Sequence, residues 1–323
     1  MNAFVMAAGA LVLASAMSMH APAMAQEFPV RPIRLVVGWP AGGTADGVAR
    51  TLAPALSEAL GQPVVVENKP GASGSIGAAE VAAAKPDGHT LGIVFDTQAV
   101  NHHLYRTLRY DPFKSFVYLS RLVTAPQILV AANAFPAGDA AGLIRHARAN
   151  PGKVTYASTG AGSSNHLNAL LFASQAGIEL AHVPYKGGVP ALTDLGGGQV
   201  DIMIVSAPST MPTVRAGRIK VLAVGSAAPL PQVPGVQPIA ATLPGFEASS
   251  WIGLIAPAGL PQPVLARLER EVRTALARKD VAEKLTGAGY EIVASTSEAF
   301  GAFMRRESDK WEQIIRTYKV AVE

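Results

Sequence analysis

Cysteine is absent from this 323-residue chain. Without a thiol there is no disulfide, no Cys-ligated zinc and no thiol catalysis. The absence is compatible with a bacterial periplasm, where a large domain needs no disulfide for stability. Charge is scarce as well, since 15% of the residues are charged and the formal net charge is +4. No stripe of Lys and Arg alternates with aromatic side chains, which argues against a nucleic-acid partner.

The common catalytic and metal-binding motifs are missing too. The chain has no G-x-S-x-G elbow to present a hydrolase serine and no H-E-x-x-H pair for zinc. His102 and His103 are adjacent, and because neighbours on a helix or strand point apart, we do not expect them to share a metal ion. His166 and His182 stand alone and are interpreted as hydrogen-bonded structural histidines. The sequence therefore predicts no metal, no cofactor and no enzyme.

The first 25 residues have the pattern of a secretory signal peptide. Residues 3–16 are apolar, and Ala23-Met24-Ala25 matches a cleavage site, which makes Gln26 the expected first residue of the mature protein. One feature departs from the pattern, since residues 1–26 contain no Lys or Arg. The alternative is a short membrane anchor, which the Ala-, Gly- and Ser-rich composition disfavours. We expect a soluble protein in the periplasm.

The remainder of the chain has the composition and the pattern of an α/β protein. It is 49% hydrophobic with a mean hydropathy of +0.26, and its length suits two domains. Short β-branched runs alternate with amphipathic runs, as in βαβ units. Examples are the strands expected at 33–38 and 90–95 and the helix expected at 44–60.

Two extended runs, 117–123 and 128–132, flank Pro126 and are interpreted as the crossing between two domains, because the βα pattern restarts after them. We expect residues 26–125 and 249–323 to form a discontinuous first lobe, onto which the helical tail packs back. Residues 126–248 are expected to form the second lobe.

Several glycine- and serine-rich loops lie between a strand end and a helix start, where open α/β sheets bind ligands. In the first, at 38–46, Gly42 and Gly43 would turn the backbone so that N–H groups at a helix start face an anion. The alternative is an ordinary glycine turn in which Asp46 stabilises the first helical turn. The second such loop lies at 71–75.

Two further loops follow strands of the second βα block. The loop at 157–164 offers hydroxyls and N–H groups to a carboxylate or a phosphate, although Ser163 is equally well placed as a helix N-cap. In the loop at 183–188, Tyr185 could line a cleft or simply pack, and Lys186 is more readily explained as a solvated side chain. Only Asp46 and Asp96 lie where an acid–base group would be needed.

The chain resembles the solute-binding proteins of tripartite tricarboxylate transporters, also called the Bug receptor family. The resemblance covers essentially the whole chain after the signal peptide. It is carried by several segments in the same order: Pro40 to Asp46, Val64 to Gly77 (V-V-V-E-N-K-P-G-A-S-G-S-I-G), Lys85 to Leu91, Tyr110 to Phe113, His182 to Gly187 (H-V-P-Y-K-G), Ala191 to Asp201 and Pro244 to Glu247.

This resemblance implies a type II periplasmic binding protein fold, with two α/β lobes joined by a hinge and the ligand cleft between them. It implies a small organic carboxylate as ligand, membrane transporter subunits as partners, and a monomer. The implied ligand contacts are, in the first lobe, Trp39, Ala41, Gly42, Asp46, Ala72, Ser73 and Thr97, and in the second, Ser158, Ser163, Ser164, Tyr185 and Ser206. Two alternatives stay open: an enzyme on the same fold, and a ligand sensor for a membrane signalling partner. Which carboxylate is bound stays open as well.

Overall fold

A computed structural model describes residues 28–322 of the protein; the expected signal peptide and its cleavage site lie outside these residues. The strands are β1 (Ile33–Val37), β2 (Val64–Asn68), β3 (Thr90–Phe95), β4 (Phe116–Ala132), β5 (Thr155–Ser158), β6 (Ala181–Pro184), β7 (Ile202–Ser206), β8 (Ile219–Val224), β9 (Ser249–Pro257) and β10 (Glu291–Ile292). The helices are α1 (Thr44–Leu60), α2 (Ser75–Ala82), α3 (Asn101–Leu104), α4 (Ala140–Ala149), α5 (Ser164–Ala176), α6 (Gly188–Gly196), α7 (Ala207–Arg215), α8 (Gln262–Ala277), α9 (Lys279–Gly287) and α10 (Ser297–Tyr318).

The first lobe is built on β1, which pairs in parallel with both β2 and β3. One face of this sheet is covered by α1, α8 and α9, whose buried side chains form one core with Leu35 and Ile93. The other face is covered by α2 and by Phe300 of α10. Because helices shield both faces, the strands read as continuous β-branched and aliphatic runs, which is how the sequence revealed them.

The second lobe repeats this plan with β5, which pairs in parallel with β6 and β7. Its core gathers residues of α4, α5 and these strands around the fully buried Phe172. Two strands cross between the lobes, because β4 and β9 pair antiparallel from Phe116–Pro257 to Pro126–Ser249. From Gln127 onward β4 pairs with β7 and β8 instead. The predicted two α/β lobes are therefore present; the division at 125/126 and 248/249 stays a prediction.

The helical tail differs from the expectation. Helices α8 and α9 pack on the first lobe, and Phe300 and Met304 at the start of α10 do so too. Trp311, Ile314 and Ile315, further along α10, belong to the core of the second lobe. The helix thus joins both lobes, because its 22 residues are long enough to extend past the crossing strands.

Three helices were not predicted. Helix α7 contains two prolines that look like breakers: Pro208 lies in the first turn, which tolerates proline, and Pro212 lies inside the helix. Helix α9 follows α8 after the single extended residue Arg278. Helix α3 is only four residues long. No helix among residues 28–322 combines the length and the apolar character needed to cross a membrane.

Candidate functional site

The cleft lies where the carboxyl ends of two sets of parallel strands face each other. Strands β1, β2 and β3 lead into α1, α2 and the short 3-10 helix at 96–99, and β5, β6 and β7 lead into α5, α6 and α7. Since the strands of each set are parallel, each set of helix starts lies on one edge of its sheet. Beside these edges, a groove of about 630 Å³ is lined by Gly42–Thr44 of the first lobe, Ala207–Ser209 of the second and Gly287–Tyr290 at the end of α9; of the predicted contact residues, its lining includes Gly42 alone.

The first glycine loop is held by a buried carboxylate. Gly42 has a φ of +79°, which glycine adopts without strain. Its N–H group does not face the cleft as expected, because it donates to Asp46 Oδ2 at 2.9 Å. The N–H group of Gly43 donates to the carbonyl of Pro40. No side-chain oxygen caps α1 within the described chain, so the N–H groups of its first turn remain for a ligand.

Asp46 is almost fully buried, with 2% of its surface exposed. Besides Gly42 it accepts hydrogen bonds from Arg50 Nε and Asn68 Nδ2, both at 2.9 Å. Burial alone would raise the pKa of Asp46, but the hydrogen bonds from Arg50, Gly42 and Asn68 outweigh it and lower the pKa to about 2. The structure thus places Asp46 beneath the loop, with its oxygens already occupied.

The second loop carries the backbone strain of the site. Ala72 and Ser73 have φ values of 46° and 51°, in the left-handed region that side chains other than glycine seldom adopt. The carbonyl of Ser73 accepts hydrogen bonds from Thr97 Oγ1 at 2.9 Å and from Asn101 Nδ2 at 3.1 Å. Both Ala72 and Ser73 are exposed, whereas Thr97 is buried and supports the loop.

Trp39 forms a wall between these loops. Its ring lies 5.7 Å from that of Phe95, and a Cβ on Gly74 would stand 2.5 Å from the Trp39 ring. A larger residue at Gly74 would therefore push the indole away. Ala41, next in the first loop, is exposed.

The third loop, at 158–164, is organised by serines. Ser158 has no exposed surface, and its Oγ lies 2.7 Å from His182 Nε2 and accepts from the N–H group of Gly160 at 3.1 Å. Ser163 caps α5 by accepting from the N–H group of His166 at 3.4 Å. The N-cap interpretation of Ser163 is confirmed.

Ser164 connects the two lobes, because its Oγ donates to Asp96 Oδ1 at 2.5 Å. Asp96 is buried, and burial raises its pKa from 3.8 to about 6 even though hydrogen bonds from Ser164 and Ser250 oppose this shift. A void of about 10 Å³ adjoins this contact and is lined by Asp96, Ser164 and Asn168.

The last two predicted residues lie on neighbouring second-lobe loops. Tyr185 is half-buried, and its hydroxyl donates to Asp194 Oδ2 at 3.0 Å. Ser206 precedes α7, whose start has no side-chain cap within the described chain. The Ser206 Oγ is buried and has no hydrogen-bond partner among residues 28–322. Lys186 is exposed, as its interpretation as a solvated lysine required.

The structure thus places the predicted residues in three kinds of position. Ala41, Gly42, Ala72 and Ser73 are exposed on first-lobe loops, and Trp39, Ser163, Ser164, Tyr185 and Ser206 are half-buried around the cleft. Asp46, Thr97 and Ser158 are buried supports.

The sequence did not reveal the side chains that hydrogen-bond to the loops from neighbouring elements. Arg50 lies four residues after Asp46 on α1, a spacing that could have revealed their ion pair. Asn68, Asn101 and His182 come from other elements, and no spacing along the chain connects them to their partners.

His102 and His103 also depart from the expectation that they point apart. Their Nε2 atoms lie 3.0 and 2.9 Å from the same hydroxyl, Ser308 Oγ of α10. This is possible because α3 is a single turn, after which the chain leaves the helix.

Comparisons with known proteins agree on one family. The sequence model described as "Tripartite tricarboxylate transporter family receptor" matches residues 48–320. A Pseudomonas sp. (strain P51) protein, described as "UPF0065 protein in tcbD-tcbE intergenic region", is 40% identical over 295 residues, covering 91% of this chain and 88% of the relative.

Solved structures give the same result. An R. palustris protein solved with adipate has a TM-score of 0.81 and 35% identity, covering 91% of this chain and 99% of the other. The periplasmic binding protein BugD has a TM-score of 0.78 and 33% identity, with the same two coverages of 91% and 99%. The two-lobe periplasmic binding fold expected from the sequence is confirmed.

Proposed function

The chain belongs to the tripartite tricarboxylate transporter receptor family, and we propose that it captures a small organic carboxylate in the cleft between its lobes and delivers it to a membrane transporter. The similar R. palustris structure contains adipate, a carboxylate. The family and the expected signal peptide support a periplasmic location for this step.

The observation that carries the proposal is that uncapped helix starts of the two lobes share one groove, lined by Gly42–Thr44 at α1 and Ala207–Ser209 at α7. Helices α1, α2, α6 and α7 all begin without a side-chain cap within the described chain. The first N–H groups of a helix and its dipole favour an anion at that end. A carboxylate between the lobes would receive hydrogen bonds from both sides and so favour closure.

Within the cleft we propose a division of roles among the predicted residues. The exposed loop residues Ala41, Ala72 and Ser73 offer backbone groups, Trp39 provides an apolar wall, and Ser206 offers a hydroxyl. Ser206 is the most informative of these, because its buried Oγ lacks a partner within the described chain and a buried hydroxyl normally has one. Asp46, Thr97 and Ser158 act by holding the loops.

Binding without chemistry is the better account of the site, although one contact resembles an enzyme's. Ser158 Oγ and His182 Nε2 are 2.7 Å apart, as in a nucleophile–base pair. Ser158 has no exposed surface from which to attack a substrate, and His182 donates no hydrogen bond to a carboxylate within residues 28–322. A sensor for a signalling partner would use the same cleft and differ only in what it contacts.

The first experiment identifies the ligand. Protein purified from periplasm would be denatured, and the released small molecules analysed by mass spectrometry, followed by a thermal-shift screen of aliphatic and aromatic mono- and dicarboxylates. We expect an organic acid to co-purify and to raise the melting temperature. A ligand without an acidic group, or turnover of the bound acid, would overturn the proposal.

A matched pair of variants then locates the site. Ser206→Ala removes the unpartnered hydroxyl, whereas Ser174→Ala removes an exposed hydroxyl near the carboxyl end of α5, away from the helix starts. Loss of a charge-assisted hydrogen bond costs about 1.5–3 kcal/mol, so Ser206→Ala should weaken binding by roughly tenfold or more while Ser174→Ala leaves it unchanged. Equal affinities in calorimetry would place the ligand elsewhere.

A further inference from the structure

Two histidine rings are stacked directly behind the second-lobe loop. His166 lies in the first turn of α5 and His182 on β6. Their ring centroids are 4.1 Å apart and the ring planes differ by 5°. Tyr156 of β5 lies 4.9 Å from His182 and 6.2 Å from His166, and its ring plane differs from theirs by 19° and 16°. The three rings therefore form a compact cluster next to the loop.

Each imidazole uses one nitrogen to hold the loop. His166 Nδ1 accepts a hydrogen bond from the N–H group of Gly162 at 3.0 Å, so this nitrogen carries no proton. The Ser158 hydroxyl can donate either to His182 Nε2 at 2.7 Å or to the carbonyl of Gly160 at 3.1 Å. That carbonyl already accepts from Ser163 Oγ at 2.7 Å. The shorter contact and the occupied carbonyl assign His182 Nε2 as the acceptor.

Both rings are held neutral by their surroundings. Burial, together with the charge that a protonated His182 would carry, lowers the pKa of His166 to about 4. Burial also lowers the pKa of His182. The titratable groups around the two imidazoles are tyrosines, namely Tyr156 on β5 and Tyr318 of α10, which faces Tyr156. Neither compensates a positive charge at neutral pH.

We propose that His166 and His182 are positioning residues for the ligand, which as neutral acceptors fix the loop at 158–164 in the shape that binds the carboxylate. The proposal deepens the function proposed above and rests on it for the identity of the ligand. The two histidines do not touch the ligand; they act through Gly162 and Ser158. Gly162 has a φ of +73°, and a Cβ at this position would stand 2.7 Å from Leu104 Cδ1. The loop therefore requires glycine here, and the hydrogen bond to His166 fixes the direction of the Gly162 N–H group.

Side chains that mimic one imidazole nitrogen test this role. An asparagine oxygen can occupy the place of Nδ1 and a glutamine oxygen that of Nε2, so His166→Asn and His182→Gln keep the acceptor without the ring. His166→Leu and His182→Leu remove it. With adipate as the probe, we expect the leucine variants to bind at least tenfold more weakly and the amide variants to stay within about threefold of wild type. His146→Leu, on α4, is the control histidine and should bind as wild type does.

A ligand-free measurement keeps this inference separate from the proposed function. Imidazole ¹⁵N shifts at pH 7.5 should show His166 protonated on Nε2 and His182 on Nδ1. A charged ring, a proton on His166 Nδ1, or equal affinities of leucine and amide variants would overturn the positioning role. If the shifts agree but neither adipate nor any other carboxylate binds the wild type, the proposed function fails while the loop support stands. Circular dichroism identifies any variant that has unfolded. For such a variant, the ¹⁵N shifts of the wild type decide the question in place of its affinity.

Discussion

In the first lobe, the glycine turn before α1 is held by an ionised carboxylate; in the second, the turn before α5 is held by hydroxyls and two neutral imidazoles. Asp46 accepts from Gly42 N, Arg50 Nε and Asn68 Nδ2. His166 and the Ser158–His182 pair do the corresponding work behind Gly162. Two loops in equivalent positions before a helix are thus held by different groups, one charged and one neutral. Their stability should respond differently to pH and to the removal of charge.

The largest change in stability is expected on substitution of Asp96. This first-lobe carboxylate accepts a hydrogen bond from the second-lobe Ser164 hydroxyl and forms no ion pair within residues 28–322. Its pKa, raised from 3.8 to about 6, makes the ionised form unfavourable in the folded protein. At about 1.4 kcal/mol per pH unit between folded and unfolded pKa values, Asp96→Asn should raise the free energy of unfolding at pH 8 by about 3 kcal/mol. Urea unfolding at several pH values measures this.

The sign of this effect depends on pH. Below pH 3.8 Asp96 is protonated in both states, so wild type and Asp96→Asn should be equally stable there. The advantage of the variant should develop as the pH rises from 3.8 to about 6 and stay constant above that. A variant that is less stable at pH 8 would show that the Ser164 contact requires the charge.

The opposite result is expected at Asp46. Its pKa is lowered to about 2, so its ionised form stabilises the fold above pH 3.8 and this stability is lost as the pH falls towards 2. Asp46→Asn should lower the free energy of unfolding at pH 7 by about 2 kcal/mol. Thermal unfolding of both proteins between pH 2.5 and 7 tests this. A stability difference between the two proteins that stays constant across that range would contradict an ionised Asp46 as the support of the first loop.

A smaller effect should follow from adding charge to the first loop itself. Gly42 is exposed, has a φ of +79°, and has no atom within 4 Å of the place of a Cβ. Gly42→Asp should weaken carboxylate binding about tenfold, or about 1.4 kcal/mol, because it brings a negative charge to the anion. Gly42→Asn has the same shape and tolerates this backbone, so it is the matched control. If calorimetry shows equal losses, strain and not charge is responsible.

The mildest test leaves the sequence unchanged and follows two amides during acidification. The N–H group of Gly162 donates to a ring whose pKa is about 4, and that of Gly42 to a carboxylate whose pKa is about 2. As the pH falls from 6 to 3.5, the Gly162 amide resonance should shift near pH 4 and the Gly42 resonance should stay in place. Simultaneous movement in two-dimensional NMR spectra would remove the distinction between the lobes.

The sequence predicted the elements whose signals are local. Helix α1 has its predicted bounds, because apolar residues recur on one face and Gly61 ends it in a left-handed conformation. Strand β3 also has its predicted bounds, and β1 ends one residue earlier than predicted. The family resemblance added the arrangement of lobes, which no single segment determines.

The parts that could not be predicted depend on contacts between distant segments. Ser164 meets Asp96 across 68 positions of sequence, and Ser158 meets His182 across 24. Composition indicates that these are polar residues in loops, but whether such a side chain faces the ligand or the core is decided by packing. For this reason Asp46 was assigned to the ligand although its oxygens are already occupied.

Helix α10 has a mechanical consequence for how the cleft opens. Phe300 and Met304 anchor its start in one lobe, and Trp311 and Ile315 anchor its later turns in the other. Together with β4 and β9 it ties the lobes at three separate places. Three connections hinder sliding and twisting of one lobe against the other, so we expect bending of all three together to be the easiest relative motion of the lobes. We therefore expect the cleft to open and close along one main coordinate.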